Sequence, residues 1–321
     1  MTDAPRFEDV IRAQRRIAPY IHRTPVLTSR PIDSMIGARI FFKCENLQRS
    51  GSFKVRGAFN AVFALDDADA QRGVVTHSSG NHAAALALAA STRGIPAYVV
   101  MPNTAPAPKK AAVAGYGARI VECEPTLAAR LEAAEGIAAE TGATMIPPFD
   151  HPLVAAGQGT AVLDLLNEAG EPLDAVTVPV GGGGLLAGTL LAVEAASPET
   201  RVIGAEPAMA DDATRGFVLG ALQPQVLPVR TIADGLTTSM SPMTFAIMRD
   251  KASAMVTASE EAIVEAMRLV WTRLKVVAEP SAVAPLAALM EGAWDARGQS
   301  VGLMLTGGNV DLDRLPWTPR S

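Results

Sequence analysis

The stretch AVTVPVGGGGLLAGTLLAVEAA, residues 175–196, decides how the rest of the chain is read. It opens on a short, continuously apolar run rich in valine, which suits a strand buried on both faces. Four glycines, Gly181 to Gly184, stop that run, and an Ala/Leu-rich stretch of helical character follows. Strand, glycine turn and helix in that order make a βα unit.

Moving outward, the same order recurs in GVVTHSSGNHAAALALAA (73–90), IPAYVVMPNTAPAPKKAAVAGYG (95–117), ARIVECEPTLAARLEAAEGIAAE (118–140) and VGLMLTGGNVDL (301–312). Short strands alternating with helices predict an α/β fold, a mostly parallel sheet with helices on both faces. Ligands of such sheets bind beyond the carboxyl ends of the strands, where these Gly/Ser turns fall. The pattern breaks near DDADAQRG (66–73) and PPFDHP (147–152). Residues 73–150 are therefore expected to form a small domain inserted in a larger one, built from 1–72 and 151–321. ALQPQVLPVR (221–230) reads as a surface connection.

With 321 residues, 49% of them apolar and 19% charged, the chain has globular usage. A net charge of −5 offers no basic footprint for nucleic acid, so small molecules are the expected partners. Cys44 and Cys123 form neither a disulfide framework nor a metal-ligand spacing, which fits a reduced compartment. The opening MTDAPRFEDVIRAQRRIAPYI has helical spacing and no apolar leader segment, and no run reaches the ~20 apolar residues of a membrane span. A cytoplasmic protein is expected.

In SGSFKVRGAF (50–59), Ser52 is a plausible helix cap, which puts Lys54 in the first helical turn. There the positive end of the helix dipole favours a neutral amine. Lys54 is thus either a lysine reaching out to solvent or a base and Schiff-base amine. The glycine run at a helix start suits a phosphate, held by backbone N–H groups. Gly182, Gly184 and Ala187 also satisfy the dinucleotide pattern G-x-G-x-x-[GA], with Glu206 at the end of the next strand-like run, RVIGAE. Both readings stand on this motif. THSSGNH (76–82) either caps a helix or binds a carboxylate through Ser78, Ser79, Asn81 and His82. In AEPAMADDATRG (205–216), Glu206, Asp212 and an intervening carbonyl suit a hard cation, while Asp211 or Asp212 equally suits a helix cap.

A reactive lysine, a phosphate cup, a carboxylate turn and the neutral hydroxyl of Thr306 jointly suit pyridoxal phosphate, whereas a nicotinamide enzyme leaves Lys54 and SSGNH without a shared explanation. SGSFKVRGA, THSSGNH, VPVGGGGLLAG, AEPAMADD, TIADG, AEPSA and TGGNVD, in this order, resemble the serine/threonine dehydratase and serine racemase family of pyridoxal-phosphate enzymes, over essentially the whole chain. Within it the chain looks most like serine racemase and the 3-hydroxyaspartate dehydratases.

The resemblance implies a tryptophan-synthase β-type fold with two open, mostly parallel sheets, and a homodimer. It implies that Lys54 links to the cofactor aldehyde and then removes the substrate Cα proton, with Phe53 beside the cofactor ring. Asn81 is implied to bond the phenolic oxygen, Gly181, Gly182, Gly183, Gly184 and Leu185 the phosphate, and Gly235, Glu279 and Thr306 to line the cofactor. Ser78, Ser79, Asn81 and His82 are implied to face the substrate carboxylate, with Arg130 and Thr238 helping at closure. Glu206, the Ala210 carbonyl and Asp212 are implied to hold Mg²⁺, Ca²⁺ or Mn²⁺. Ser79 is implied to stand across the substrate from Lys54, as racemisation requires.

Thr306 replaces the serine usual in this family, Ala83 a glycine common in racemases, and PPFD departs toward the dehydratases. The expected reaction is therefore elimination of water and ammonia from L-serine, L-threonine or 3-hydroxyaspartate, giving a 2-oxo acid. Serine racemase is the alternative. An NAD-dependent oxidoreductase and a binding module without catalysis are more distant ones.

Overall fold

The computed structural model describes residues 4–225 and 227–318. Ten strands run in chain order as β1 (Val26–Leu27), β2 (Arg39–Cys44), β3 (Val74–His77), β4 (Ala97–Pro102), β5 (Arg119–Cys123), β6 (Thr144–Met145), β7 (Ala175–Pro179), β8 (Arg201–Pro207), β9 (Ala254–Ala258) and β10 (Ser300–Leu305). They form two sheets, each inside one of two compact units. One unit is Met1–Ile21 with Lys54–Gln158, the other His22–Phe53 with Gly159–Ser321.

The larger unit carries six strands in the order β1-β2-β10-β7-β8-β9, parallel except for the β1–β2 pair. β7 is buried along its whole length, as its unbroken apolar run predicts. β10 joins distant parts of the chain, pairing Ser300 with Arg39 on one side and Val301 with Ala175 on the other. Phe42, Ile40, Leu303 and Leu305 from these strands share a core with Val283, Leu286 and Leu289 of the helix Pro280–Met290. Because β2, β10, β7 and β8 are parallel, the turn after Leu305, the glycine run after Pro179 and Glu206 of β8 all lie toward one edge.

The smaller unit has a parallel sheet in the order β5-β4-β3-β6. At its rim β5 carries the exposed charges Arg119 and Glu122, a composition that discourages pairing with another chain. The helices Lys54–Ala64 and Asn81–Arg93 pack together through Val55, Ala58, Phe59 and Val62 against Ala85, Leu86 and Ala89. Tyr20, Phe59 and Phe63 stack beside them, with Tyr20 and Phe63 ring centroids 4.2 Å apart.

These contacts move the expected boundaries. Residues 4–21 and 54–72 belong with the smaller sheet rather than with the larger unit, because the apolar face of Lys54–Ala64 is satisfied by Asn81–Arg93. The expected break at 66–73 contains a short helix, Asp67–Arg72, whose cap Asp66 accepts a bond from the Asp69 amide. The surface connection at 221–230 stays irregular where described; Val226 lies outside the described residues, as do residues 1–3 of the opening helical stretch, whose helix is Phe7–Ile17.

One turn in the larger unit ties the segment before Lys54 to the turn after β10. Phe53 N–H donates to the Thr306 carbonyl at 3.0 Å, Gly308 N–H to the Gly51 carbonyl at 3.0 Å, and Asn309 Nδ2 to the Ser50 carbonyl at 2.8 Å. Ser50 and Gly51 both take left-handed backbone, with φ of +55° and +74°. A side chain on Gly51 would also collide with Asn309. Gly51→Ala is therefore expected to lower unfolding stability by about 1–3 kcal/mol, read from chemical denaturation of the full chain.

Candidate active site

The chemistry-bearing residues fall into two sets. Lys54, Ser78, Ser79, Asn81, His82 and Arg130 belong to the smaller unit. Phe53, Gly181 to Leu185, Gly235, Thr238, Glu279 and Thr306 belong to the larger one, as do Glu206, Ala210 and Asp212. Phe53 and Lys54 are consecutive, so the chain itself passes from one set to the other.

In the smaller unit Lys54 is the first residue of its helix, within the positive end of the dipole. Its Nζ, partly buried, donates to the Pro148 carbonyl at 2.8 Å. This is an inward-turned lysine, not one reaching for solvent. Ser52 does not cap the helix: its hydroxyl is fully buried and has no hydrogen-bond partner among the described residues.

β3 ends at His77 and delivers Ser78 and Ser79 to the start of the helix Asn81–Arg93. Neither serine caps that helix; Gly80 holds the cap position and its amide donates to Ser78 Oγ at 3.3 Å. The amides of Ala83 and Ala84 turn back to the Gly80 carbonyl, at 3.0 and 3.4 Å, so the helix starts directly beside these hydroxyls.

His82 sits in the first turn and is 1% exposed, with Nε2 3.0 Å from the Ile146 carbonyl. A carbonyl only accepts, so Nε2 carries the proton and Nδ1 is a bare acceptor without a partner among the described residues. Burial, then the charge of Lys54, pushes the imidazole down to about 3. The ring expected at a substrate carboxylate is engaged elsewhere and holds no charge to offer one.

Arg130 lies in the first turn of the helix Leu127–Thr141 that leaves β5, its Nε 3.4 Å from the Thr126 carbonyl. Burial and then the Arg130 charge lower the pKa of His77, so the guanidinium stands near the carboxyl end of β3.

In the larger unit, the glycine run enters the helix Gly184–Ala196 with Gly183 at the cap, φ +81°. A Cβ on Gly183 would strike Met240 and sit 3.0 Å from Thr244, and one on Gly181 would come within 3.0 Å of the Leu236 backbone. Thr244 Oγ1 braces the loop by donating to the Gly182 carbonyl at 2.9 Å. Within the helix ladder the first bond runs from the Ala187 amide to the Gly183 carbonyl. The amides ahead of Ala187 lie at a helix start outside the helix's own ladder, which fits a phosphate.

Thr306, 3% exposed, follows β10 and receives the Phe53 amide on its carbonyl. Glu279 accepts from the Asn309 amide at 3.2 Å and donates its own amide to the Gly307 carbonyl at 2.9 Å. Gly235 N–H donates to Ser281 Oγ at 2.9 Å, and Thr238 is exposed.

Glu206 settles the dinucleotide alternative by its surroundings. Its carboxylate is buried and accepts from the amides of Ala213 and Thr214, at 3.2 and 2.7 Å, and from Thr214 Oγ1 at 2.9 Å. It caps the helix Asp212–Leu219, a task expected of Asp211 or Asp212, so both of its oxygens are turned to that helix start. Burial pushes Glu206 up to about 8 and Asp212 up to about 6. Among the described residues no three-residue cluster of His, Cys, Asp or Glu stands ready for a metal, so a cation here would lean on two carboxylates and backbone oxygen.

Sequence reasoning missed the Pro148 carbonyl, the Ser281 hydroxyl and the brace from Thr244. The first is a backbone atom and leaves no side-chain signature. The other two are polar residues in Ala-rich or capping contexts, where a cap or a surface position explains them as well.

The chain matches the family described as "Pyridoxal-phosphate dependent enzyme" over residues 17–307. It is 49% identical over 313 residues to a β-hydroxyaspartate dehydratase of Paracoccus denitrificans, covering 98% of this chain and 99% of that protein. It is 45% identical to an L-threo-3-hydroxyaspartate ammonia-lyase of Saccharomyces cerevisiae, covering 97% and 95%. The solved structure of maize serine racemase superposes with a TM-score of 0.94 at 42% identity, covering 97% and 95%. The glycine loop, the lysine that opens a helix and the two parallel sheets thus have a common explanation: this chain belongs to the pyridoxal-phosphate dependent enzymes.

Proposed function

We propose that the chain eliminates water and ammonia from a 3-hydroxy amino acid, leaving a 2-oxo acid, with 3-hydroxyaspartate as the preferred substrate class. The observation that carries this is the inward Nζ of Lys54, bonded to Pro148 and electrically close to His82 at the mouth of the Ser78–Asn81 turn. When bound, pyridoxal phosphate supplies an aldehyde for covalent attachment and an electron sink for the bond broken at Cα.

Lys54 provides the amine for that attachment and, once displaced, accepts the Cα proton on Nζ. The N-terminal turn of its helix favours the uncharged amine that both tasks need. Ser78, Ser79 and the amides that open Asn81–Arg93 bind the substrate carboxylate, and the Asn81 amide side chain meets the cofactor's phenolic oxygen. The amides of Gly181 to Leu185 hold the phosphate, while Phe53, Gly235, Glu279 and Thr306 bound the ring. Thr306 offers the ring nitrogen a neutral hydroxyl, which leaves a weaker sink than an aspartate would and favours prompt loss of the 3-hydroxyl. Hydroxide leaves C3 as the Cα proton leaves, and water converts the released enamine to the 2-oxo acid and ammonia.

Arg130, in the helical turn above the carboxyl ends of β3 and β5, is suited to a second carboxylate, which 3-hydroxyaspartate has and serine lacks. Relatives whose names carry hydroxyaspartate support that choice. Glu206, the Ala210 carbonyl and Asp212 take a divalent cation, Mg²⁺ in the first instance, whose charge would offset the burial that raises both carboxyls. Family resemblance supports a homodimer. No helix among the described residues is long and apolar enough to cross a membrane.

Lys54→Ala is expected to lower ammonia release by more than about 1000-fold and to remove the visible absorbance of the cofactor-loaded protein; retained turnover would refute the reading. Chiral analysis of the parent separates elimination from racemisation, with Ser79→Ala as the control that lacks the hydroxyl a racemase would use. Oxo-acid formation from 3-hydroxyaspartate should stay within about tenfold of the parent, and chiral analysis of recovered substrate should show no inversion in either protein. Mg²⁺ is expected to raise the melting temperature of the parent by about 3 °C and to leave Asp212→Asn unmoved.

A further inference from the structure

The segment Ile146–Pro147–Pro148 leaves β6 with two neighbouring side chains bonded to its carbonyls. Ile146 still pairs with the sheet, its amide donating to the Val75 carbonyl at 2.9 Å. Pro147 and Pro148 have no amide hydrogen and a nearly fixed φ, so the backbone at these two residues offers acceptors only, and its remaining freedom lies in ψ, which sets where each carbonyl points. His82 Nε2–H takes the Ile146 carbonyl at 3.0 Å, and Lys54 Nζ takes the Pro148 carbonyl at 2.8 Å. One short stiff segment therefore connects the histidine to the lysine.

The state of His82 narrows what its ring can do. With its proton on Nε2, Nδ1 presents a lone pair, which repels a carboxylate instead of binding one. Burial keeps the ring uncharged through the physiological range, so it neither supplies a proton nor loses its bond to Ile146 as pH changes. A buried, neutral ring held to a backbone carbonyl two residues before the lysine's own acceptor is placed to act on that acceptor.

We propose that His82 is a positioning residue for Lys54: by holding the Ile146 carbonyl it fixes the Pro147–Pro148 segment, whose Pro148 carbonyl receives the ammonium that Lys54 becomes on taking the substrate Cα proton. This rests on Lys54 being the base, as proposed above. The Cα–H bond breaks, its electron pair goes into the Cα–C3 double bond as hydroxide leaves C3, the proton moves to Nζ, and the new positive charge meets the carbonyl oxygen already at 2.8 Å. A neutral acceptor suits a base that must also give its proton up. A carboxylate in its place would hold the ammonium more tightly and slow its return to the neutral form.

His82→Leu removes the donor and His82→Gln restores an N–H at a similar reach. With 3-hydroxyaspartate as substrate, the leucine variant should lose roughly 10- to 100-fold in kcat, the range a misplaced base produces, with KM little changed; the glutamine variant should recover most of it. A second readout is independent of turnover. In the full-length chain freed of cofactor, formaldehyde with cyanoborohydride methylates neutral lysine amines, and Lys54 can be followed by mass spectrometry against the chain's other lysines.

Loosening the Pro148 carbonyl withdraws support from the unreactive ammonium, so Lys54 labelling should quicken several-fold in His82→Leu and return toward the parent rate in His82→Gln. Because a leucine at a buried polar position can unfold the chain, Pro148→Ala, on a partly exposed backbone, carries the same expectation for labelling. A rise in KM at constant kcat, or Lys54 labelling unchanged in both His82→Leu and Pro148→Ala, overturns the assignment. An active Lys54→Ala enzyme would instead overturn the proposed function itself, whatever the labelling shows.

Discussion

The position of Lys54 is set by main-chain hydrogen bonds to a part of the chain far away in sequence. Ser50 to Phe53 are laid against Thr306 to Asn309, and the bond from Asn309 Nδ2 to the Ser50 carbonyl closes a separation of 259 positions. The bond from the Phe53 amide to the Thr306 carbonyl is the last before the helix begins, so it fixes where the first turn starts and which residue opens it. Left-handed backbone at Ser50 and Gly51 makes this turn possible, and no side-chain cap takes part. The lysine's place is inherited from a register between a loop and the end of the central strand β10.

Two kinds of recognition follow from that placement. In the larger unit, the glycine loop carries main-chain amides in place of polar side chains, and its shape is crowded by Met240, Thr244 and the Leu236 backbone around Gly181 and Gly183. In the smaller unit, the polar groups are side chains at the carboxyl end of a sheet: two serines, an asparagine, a neutral histidine and an arginine. Electrostatics there is dominated by burial, which strips His82 of its charge and leaves the helix start and Arg130 as the features that favour anions.

Much of this was legible in the sequence, for a physical reason. Parallel strands buried on both faces cannot be disguised, so β7, β8 and β10 read directly as apolar runs ended by Gly or polar turns. Lys54 and the glycine run could be named because their neighbours contradict their own chemistry. What was not legible depends on partners distant in the chain. Ser52 has every property of a cap yet caps nothing, since the Thr306 turn holds the backbone on which a cap would act. Glu206 also caps the next helix, a task its sequence neighbours Asp211 and Asp212 suggested for themselves, because its strand ends beside that helix. The unit boundaries were missed since Lys54–Ala64 carries an apolar face that either sheet could have covered. Its choice of Asn81–Arg93 is a matter of shape between the two helices.

The bareness of the glycine loop has a wider implication for how such a chain can diversify. A surface made of peptide groups offers mutation little to tune: every residue type but proline brings the same amide, and bulk at Gly181 or Gly183 meets close walls. On the proposed assignment, variation that alters which molecule is processed falls to the other unit, where each polar group is a replaceable side chain. Descent with a constant coenzyme grip and a drifting substrate preference then follows from the division between peptide and side-chain chemistry.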